Sequence, residues 1–235
     1  MSFPHTAQMR AACLATLCLL FAGCGSEQRR PNATPARTGP PPRTLRFRAA
    51  DGRRLHGRLI PAGGGAPGVV LIHGLYGRID QWDPLIPDLH AAGFATLAYA
   101  SRSRHEPDEA VLAKDVAGAV HALARTADPR RIALVGASVG GTTVAYVLGT
   151  QPRVRVRGGV ALSALELGAQ HRYRPHDLLL ITDPRERANA VNLKRDAHGQ
   201  GTTIYVAPNV GHGVALLPDG RVRDKLIAWL KRVTR

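Results

Sequence analysis

From residue 68 onward the sequence alternates short, uninterrupted apolar runs with longer helical stretches, and few folds accept that rhythm. Val69-Val70-Leu71-Ile72, Ile132-Ala133-Leu134-Val135 and Leu178-Leu179-Leu180-Ile181-Thr182 are the clearest runs. Each is too short for a helix and carries no polar alternation, as in a strand buried on both faces. Further strands are expected over 94–100, 156–162 and 202–207. Helices are expected over 82–92, 108–125, 139–150, 187–198 and 218–233. Upstream, residues 45–60 alternate apolar and polar around Asp51-Gly52, which is a hairpin signal. An antiparallel start followed by β-α alternation predicts an α/β domain. Its central sheet is mostly parallel and covered by helices on both faces. Ligands in such sheets sit at the carboxyl ends of the strands.

The N-terminal segments stand apart from this domain. Arg10 precedes an apolar run over 11–22, which is short for a bilayer span and has the length of a signal-peptide core. The run closes on Phe21-Ala22-Gly23-Cys24. Small residues before a cysteine resemble the bacterial lipoprotein signal, which implies lipidation of Cys24. Residues 1–23 are therefore expected to be a signal peptide. Residues 24–43 are expected to be the lipidated cysteine and a proline-rich linker, and residues 44–235 the α/β domain. The linker holds Pro31, Pro35, Pro40, Pro41 and Pro42 and cannot bury a core. At about 3.1 Å per residue it would hold the domain roughly 60 Å from a membrane. The expected location is the cell envelope, on its periplasmic or extracellular face.

Cysteine use agrees with export. The three cysteines are Cys13, Cys18 and Cys24, so the domain has no disulfide framework. No zinc-ligand spacing occurs, and neither a metal nor a cofactor is expected. The net charge is +15. Basic residues are scattered, aromatics are few, and no nucleic-acid-binding motif is present, so no nucleic-acid partner is expected. Adsorption to an anionic membrane suits a tethered protein better, and a basic surface without any partner is equally open.

The chemistry concentrates in Gly136-Ala137-Ser138-Val139-Gly140, set between an apolar run and a helical stretch. Small residues flanking a serine permit a sharp strand-to-helix turn that lifts its oxygen above the sheet edge. This nucleophile elbow, together with His73-Gly74-Leu75-Tyr76-Gly77 directly after a strand, resembles the α/β-hydrolase superfamily. So does Asn209-Val210-Gly211-His212-Gly213 after the last strand. The size and layout are similar to dienelactone-hydrolase-like proteins, which in the narrow sense use cysteine. Ser138 points instead to esterase chemistry.

The resemblance implies Ser138 as nucleophile and His212 as general base. It implies the backbone N–H groups of Leu75 and Val139 as oxyanion donors. The acid follows the strand before the histidine strand, where two carboxylates stand. Glu186 is preferred on register and Asp183 is the alternative, the other being a turn or capping residue. Asp177 should lie at the wrong end of the sheet, and Glu166 follows an earlier strand. His73 reads as a structural loop histidine.

One departure stands out. Many relatives carry an Asp and a Gly-rich turn where this chain has Ala100-Ser101-Arg102-Ser103-Arg104. The segment over 163–176 leaves no room for a large lid, so an open site for small, accessible acyl esters is expected. Tyr76 is expected to line it; Arg172 and Arg174 stand in the same segment, but arginines are spread along the whole chain and these two carry little weight for anionic substrates. A thioesterase or peptidase would use the same machinery. A catalytically silent envelope scaffold is the reading from a different class.

Overall fold

The Asp51-Gly52 turn starts the fold. Gly52 adopts φ +85, a left-handed conformation that glycine reaches without steric cost. It reverses β1 (Arg43–Arg48) into β2 (Arg54–Ile60) with Arg48 opposite Arg54. The computed structural model describes residues 41–167, 175–197 and 201–235. The expected signal peptide, Cys24 and most of the linker lie outside the described residues, as do Arg172 and Arg174.

The remaining strands are β3 (Gly68–Ile72), β4 (Ala95–Tyr99), β5 (Ile132–Ala137), β6 (Gly159–Leu162), β7 (Leu178–Thr182) and β8 (Thr202–Val206). They form one sheet in the order β1-β2-β4-β3-β5-β6-β7-β8, antiparallel through β1, β2 and β4 and parallel from β4 to β8. The order fixes where a site can form. From β3 the chain crosses to β4 on one side, then returns to β5 on the other. The connections leaving β3 and β5 therefore diverge and open a crevice at the carboxyl ends of those strands.

Alternate residues of each strand feed two separate apolar layers, as a two-residue period demands. Val70, Ile72 and Leu134 join one layer with α2 (Glu109–Leu123), α3 (Val139–Thr150) and α4 (Arg187–Asp196). Val69, Leu71 and Val135 join the other with α1 (Ile86–Ala91) and α5 (Gly220–Val233). Burial on both faces is why these strands read as unbroken apolar runs.

The helix expected over 82–92 is divided. A 3-10 turn covers Ile79–Trp82, and α1 starts only at Ile86. Pro84 lacks a backbone N–H and stops the first segment, whereas Pro87 sits in the first turn of α1, where none is needed. The strand expected over 156–162 is confined to Gly159–Leu162, because Gly158 turns the backbone at φ +155.

The departing segment after β4 has a structural task. Arg102 is nearly buried and donates to Asp115 of α2 through Nε (3.0 Å) and through its backbone N–H (3.1 Å). Its Nη2 also reaches Asp51 of the hairpin turn at 2.7 Å. Asp115 is fully buried. One guanidinium thus ties together the β4 loop, α2 and the hairpin. Asp115→Ala leaves Arg102 paired with Asp51 but removes its two hydrogen bonds to the buried carboxylate, so it should cost about 1.5–3 kcal/mol of unfolding free energy. Urea unfolding checks this, and a loss below about 1 kcal/mol would show the network to be dispensable.

Candidate active site

A single residue makes the turn between β5 and α3. Ser138 holds φ 53 and ψ −123, a conformation that costs a non-glycine residue about 1–3 kcal/mol. Its neighbours explain how the turn closes. A Cβ on Gly136 would lie 2.1 Å from the Gly140 carbonyl oxygen. One on Gly140 would lie 2.2 Å from the carbonyl oxygen of Ile72 at the end of β3. Only glycines let helix and strands approach so closely. The Ser138 N–H is anchored to the Leu162 carbonyl at 2.8 Å.

The loop leaving β3 lies against the serine. A Cβ on Gly74 would stand 3.2 Å from Ser138 Cβ and 3.9 Å from its Oγ. The tight turn over residues 74–77, closed by the Gly77 N–H to the Gly74 carbonyl (3.0 Å), carries Leu75 and Tyr76 at its centre. Val139 opens α3, so its N–H belongs to the first helical turn, which has no intrahelical acceptor.

His73 is held rather than free. Its Nε2 accepts the Ser101 N–H at 3.0 Å, so Nδ1 carries the proton and donates to the Gly74 carbonyl at 2.7 Å. Burial lowers its pKa and keeps the ring neutral. Ser103 Oγ donates to the same carbonyl at 3.2 Å. Ser101 and Ser103 therefore fasten the loop that flanks Ser138. No local spacing announces them, because their partners are 28 and 29 residues away.

His212 lies on the loop after β8, just before a 3-10 turn over Gly213–Leu216. A Cβ on Gly213 would lie 3.3 Å from Ala137 Cβ and 3.8 Å from the Ser138 nitrogen, so this loop packs beside the elbow. Nδ1 of His212 sits 2.6 Å from Oε1 of Glu186. Glu186 ends the 3-10 turn Pro184–Glu186 that follows β7.

Asp183 does not face the imidazole. It is fully buried, and its oxygens are consumed elsewhere. Oδ1 accepts the N–H groups of Arg185 (2.7 Å) and Glu186 (3.0 Å). Oδ2 accepts the Arg185 guanidinium (2.8 Å) and the Gly211 N–H (3.1 Å). Asp183 therefore caps the turn carrying Glu186 and joins it to the loop carrying His212. The Arg185 guanidinium, then the three N–H donors, hold its pKa at about 2 against an ordinary 3.8. A carboxyl depressed in the folded state stabilises above its unfolded pKa. That contribution is complete above about pH 4 and is lost as pH falls through about 2. Acid unfolding of Asp183→Asn should therefore be shallower than wild type over that window. Parallel acid titrations by circular dichroism check this, and superimposable curves would contradict it.

The other carboxylates are engaged away from His212. Asp177 precedes β7 at the amino end of the sheet and binds Arg232 at 3.1 Å. Glu166 accepts from Asn192 of α4. Tyr76, Leu165 and Val210 are exposed on the loops after β3, β6 and β8. Residues 168–174, the middle of the segment expected to lack a lid, are outside the description. Among the described residues no group of three or more His, Cys, Asp or Glu is placed to hold a metal.

Comparison with known proteins meets this geometry. The family described as alpha/beta hydrolase fold matches residues 67–189. An uncharacterized protein, YfhR, of Escherichia coli K12 is 29% identical over 133 residues, 51% of this chain and 47% of its own length. The chain thus spans about half the length of the curated relatives it matches. Among solved structures, an esterase of Pyrococcus furiosus superposes with a TM-score of 0.67 at 16% identity, covering 83% of this chain and 94% of its own. A dienelactone hydrolase of Anabaena variabilis gives 0.64 at 21% identity, covering 83% and 99%. A thermostable esterase of Pseudomonas putida gives 0.62 at 16%, covering 85% of each. At these identities the likeness is one of fold.

Proposed function

The chain belongs to the α/β-hydrolase fold family, and from that premise we propose that it is a serine hydrolase of carboxylic esters. The observation that carries the reading is the 2.6 Å contact between His212 Nδ1 and Glu186, on a loop packed beside the strained Ser138 turn. The fold alone would not carry it, because one fold hosts many activities.

In this reading Ser138 Oγ attacks the ester carbonyl carbon. His212 takes the hydroxyl proton on Nε2 while Glu186 accepts the Nδ1 proton and offsets the imidazolium charge. The N–H groups of Leu75 and Val139 receive the negative oxygen of the tetrahedral intermediate. The C–O bond to the alcohol breaks, and His212 returns its proton to the leaving oxygen. Water then attacks the acyl-Ser138 by the same route, releasing the acid and restoring the serine. No step asks for a metal or cofactor.

Exposed Tyr76, Leu165 and Val210 favour accessible, short acyl groups over a long enclosed chain. Hydrolysis of p-nitrophenyl acetate, butyrate and palmitate tests the reading. Turnover that falls with acyl length is expected. A folded protein inert toward every ester would overturn it. The leader and Cys24 carry a further proposal, that the enzyme is exported and lipid-anchored at the cell envelope. Mass spectrometry of the membrane fraction tests it: a diacylglyceryl adduct on Cys24 is expected, and an unmodified Cys24 would overturn it. Among the described residues no helix is long and apolar enough to cross a membrane.

A further inference from the structure

The N-terminal hairpin sets like charges directly against one another. α2 packs on the face formed by Leu45 and Phe47. On the opposite face the register pairs Arg48 with Arg54 and Arg46 with His56. All four side chains are exposed. Such pairs destabilise a hairpin unless something anionic lies across them. The neighbouring carboxylates are already taken, since Asp51 holds Arg102 and Asp83 holds Arg58. Among the described residues Arg43, Arg46, Arg48, Arg53 and Arg54 have no ion pair. Charges on an edge strand commonly guard it against association, and that accounts for β1. It does not account for β2, an interior strand paired on both sides.

The cationic face is continuous with the neighbourhood of Ser138. A shallow depression of about 700 Å³ is lined by Arg46, Arg48, Arg54 and His56. His56 also lines a second hollow, of about 460 Å³, with His73, Gly77, Arg104 and His105. The Ala100 N–H bonds the His56 carbonyl, so this end of β2 lies at the carboxyl end of β4, the sheet edge that carries Ser138. On that same edge Tyr76 and Val210 are 73% and 59% exposed.

A flat array of arginines at one end of a sheet edge that also carries protruding apolar tips matches a bilayer interface. The arginines meet lipid phosphates while the tips enter the headgroup boundary. A single-stranded nucleic acid would call for aromatic rings on the basic face itself. The one aromatic of the hairpin, half-buried Phe47, borders the depression, but its ring packs edge-on with Tyr99 at 5.9 Å and forms no series of stacking platforms. We propose that this face docks the protein on an anionic phospholipid surface, with the Ser138 edge toward the lipid. The docking is independent of whether Ser138 turns over an ester.

The test uses the full chain with Cys24→Ser, so that no anchor is attached, and measures partition onto phosphatidylglycerol and phosphatidylcholine vesicles. The ratio of the two cancels any charge-independent insertion. Arg46→Gln/Arg48→Gln/Arg54→Gln should lower that ratio about a hundredfold. The matching triple Lys variant should retain it, which separates charge from fold. Added salt should lower the wild-type ratio as well. A wild-type ratio near one, or a ratio the Gln variant leaves unchanged, would overturn the proposal. So would tighter binding to a polynucleotide than to phosphatidylglycerol at the same salt, which would assign the face to nucleic acid. Lost ester turnover with intact vesicle binding would sink the hydrolase reading alone.

Discussion

Ser138→Ala should lower kcat for a soluble ester by about a millionfold, with the protein folded and KM little changed. The size of the effect follows from the role proposed for the oxygen. Without Oγ no acyl-enzyme forms, and only the two backbone donors and substrate positioning remain. The fold should not suffer. Alanine keeps the Cβ and inherits the same φ of 53, and among the described residues the Ser138 hydroxyl makes no hydrogen bond that it would forfeit. Loss of activity and loss of structure are therefore separable here, which is uncommon for so tightly packed a turn. Steady-state kinetics beside thermal unfolding checks both. A loss of less than tenfold would mean that some other group attacks the substrate.

Glu186→Gln should cost about 10³-fold to 10⁴-fold in kcat. With the carboxylate accepting the Nδ1 proton of His212, Nε2 is the nitrogen left without a proton, as the proposed base role requires. A glutamine amide that turns its NH₂ toward Nδ1 favours the opposite tautomer, whose Nε2 carries a proton and cannot take another. His212 is 48% exposed at the side chain and Glu186 26%, so water can partly replace the lost partner. That is why the effect should fall short of the serine change. Asp183→Asn makes the informative contrast. It removes the anchor between the Glu186 turn and the His212 loop without touching the imidazole. Misplacement of about 1 Å costs on the order of a hundredfold. If Asp183→Asn proved the more damaging of the two in folded protein, Asp183 would be the acid and the geometry around His212 would have been misread.

How much of this was legible in the sequence divides along the range of the interactions. Strands buried on both faces announce themselves: β7 occupies its apolar run residue for residue, and β3 exceeds its own by Gly68 alone. The Gly-flanked Ser138 is likewise a local signal. The stretch over 82–92 misleads because its apolar spacing suits one helix while Pro84 and Pro87 divide it. The preference for Glu186 over Asp183 rests on register alone, and the contacts that occupy Asp183 lie beyond the sequence for a different reason. Both stand on one loop, and what separates them is a census of donors that includes the Gly211 N–H, 28 residues downstream. The role of Arg102 is equally non-local, since it joins residues 51 and 115. Where family resemblance led to an Asp and a Gly-rich turn, the chain instead places two serines and an arginine. They hold the β3 loop and the hairpin from one side.

The measurement that bears most directly on the central claim is covalent labelling of the folded chain by a fluorophosphonate, followed by peptide mapping. The account predicts a single adduct, on the peptide containing Ser138, that is absent from Ser138→Ala. An unlabelled folded wild type, or an adduct that maps elsewhere and persists in the variant, would contradict it.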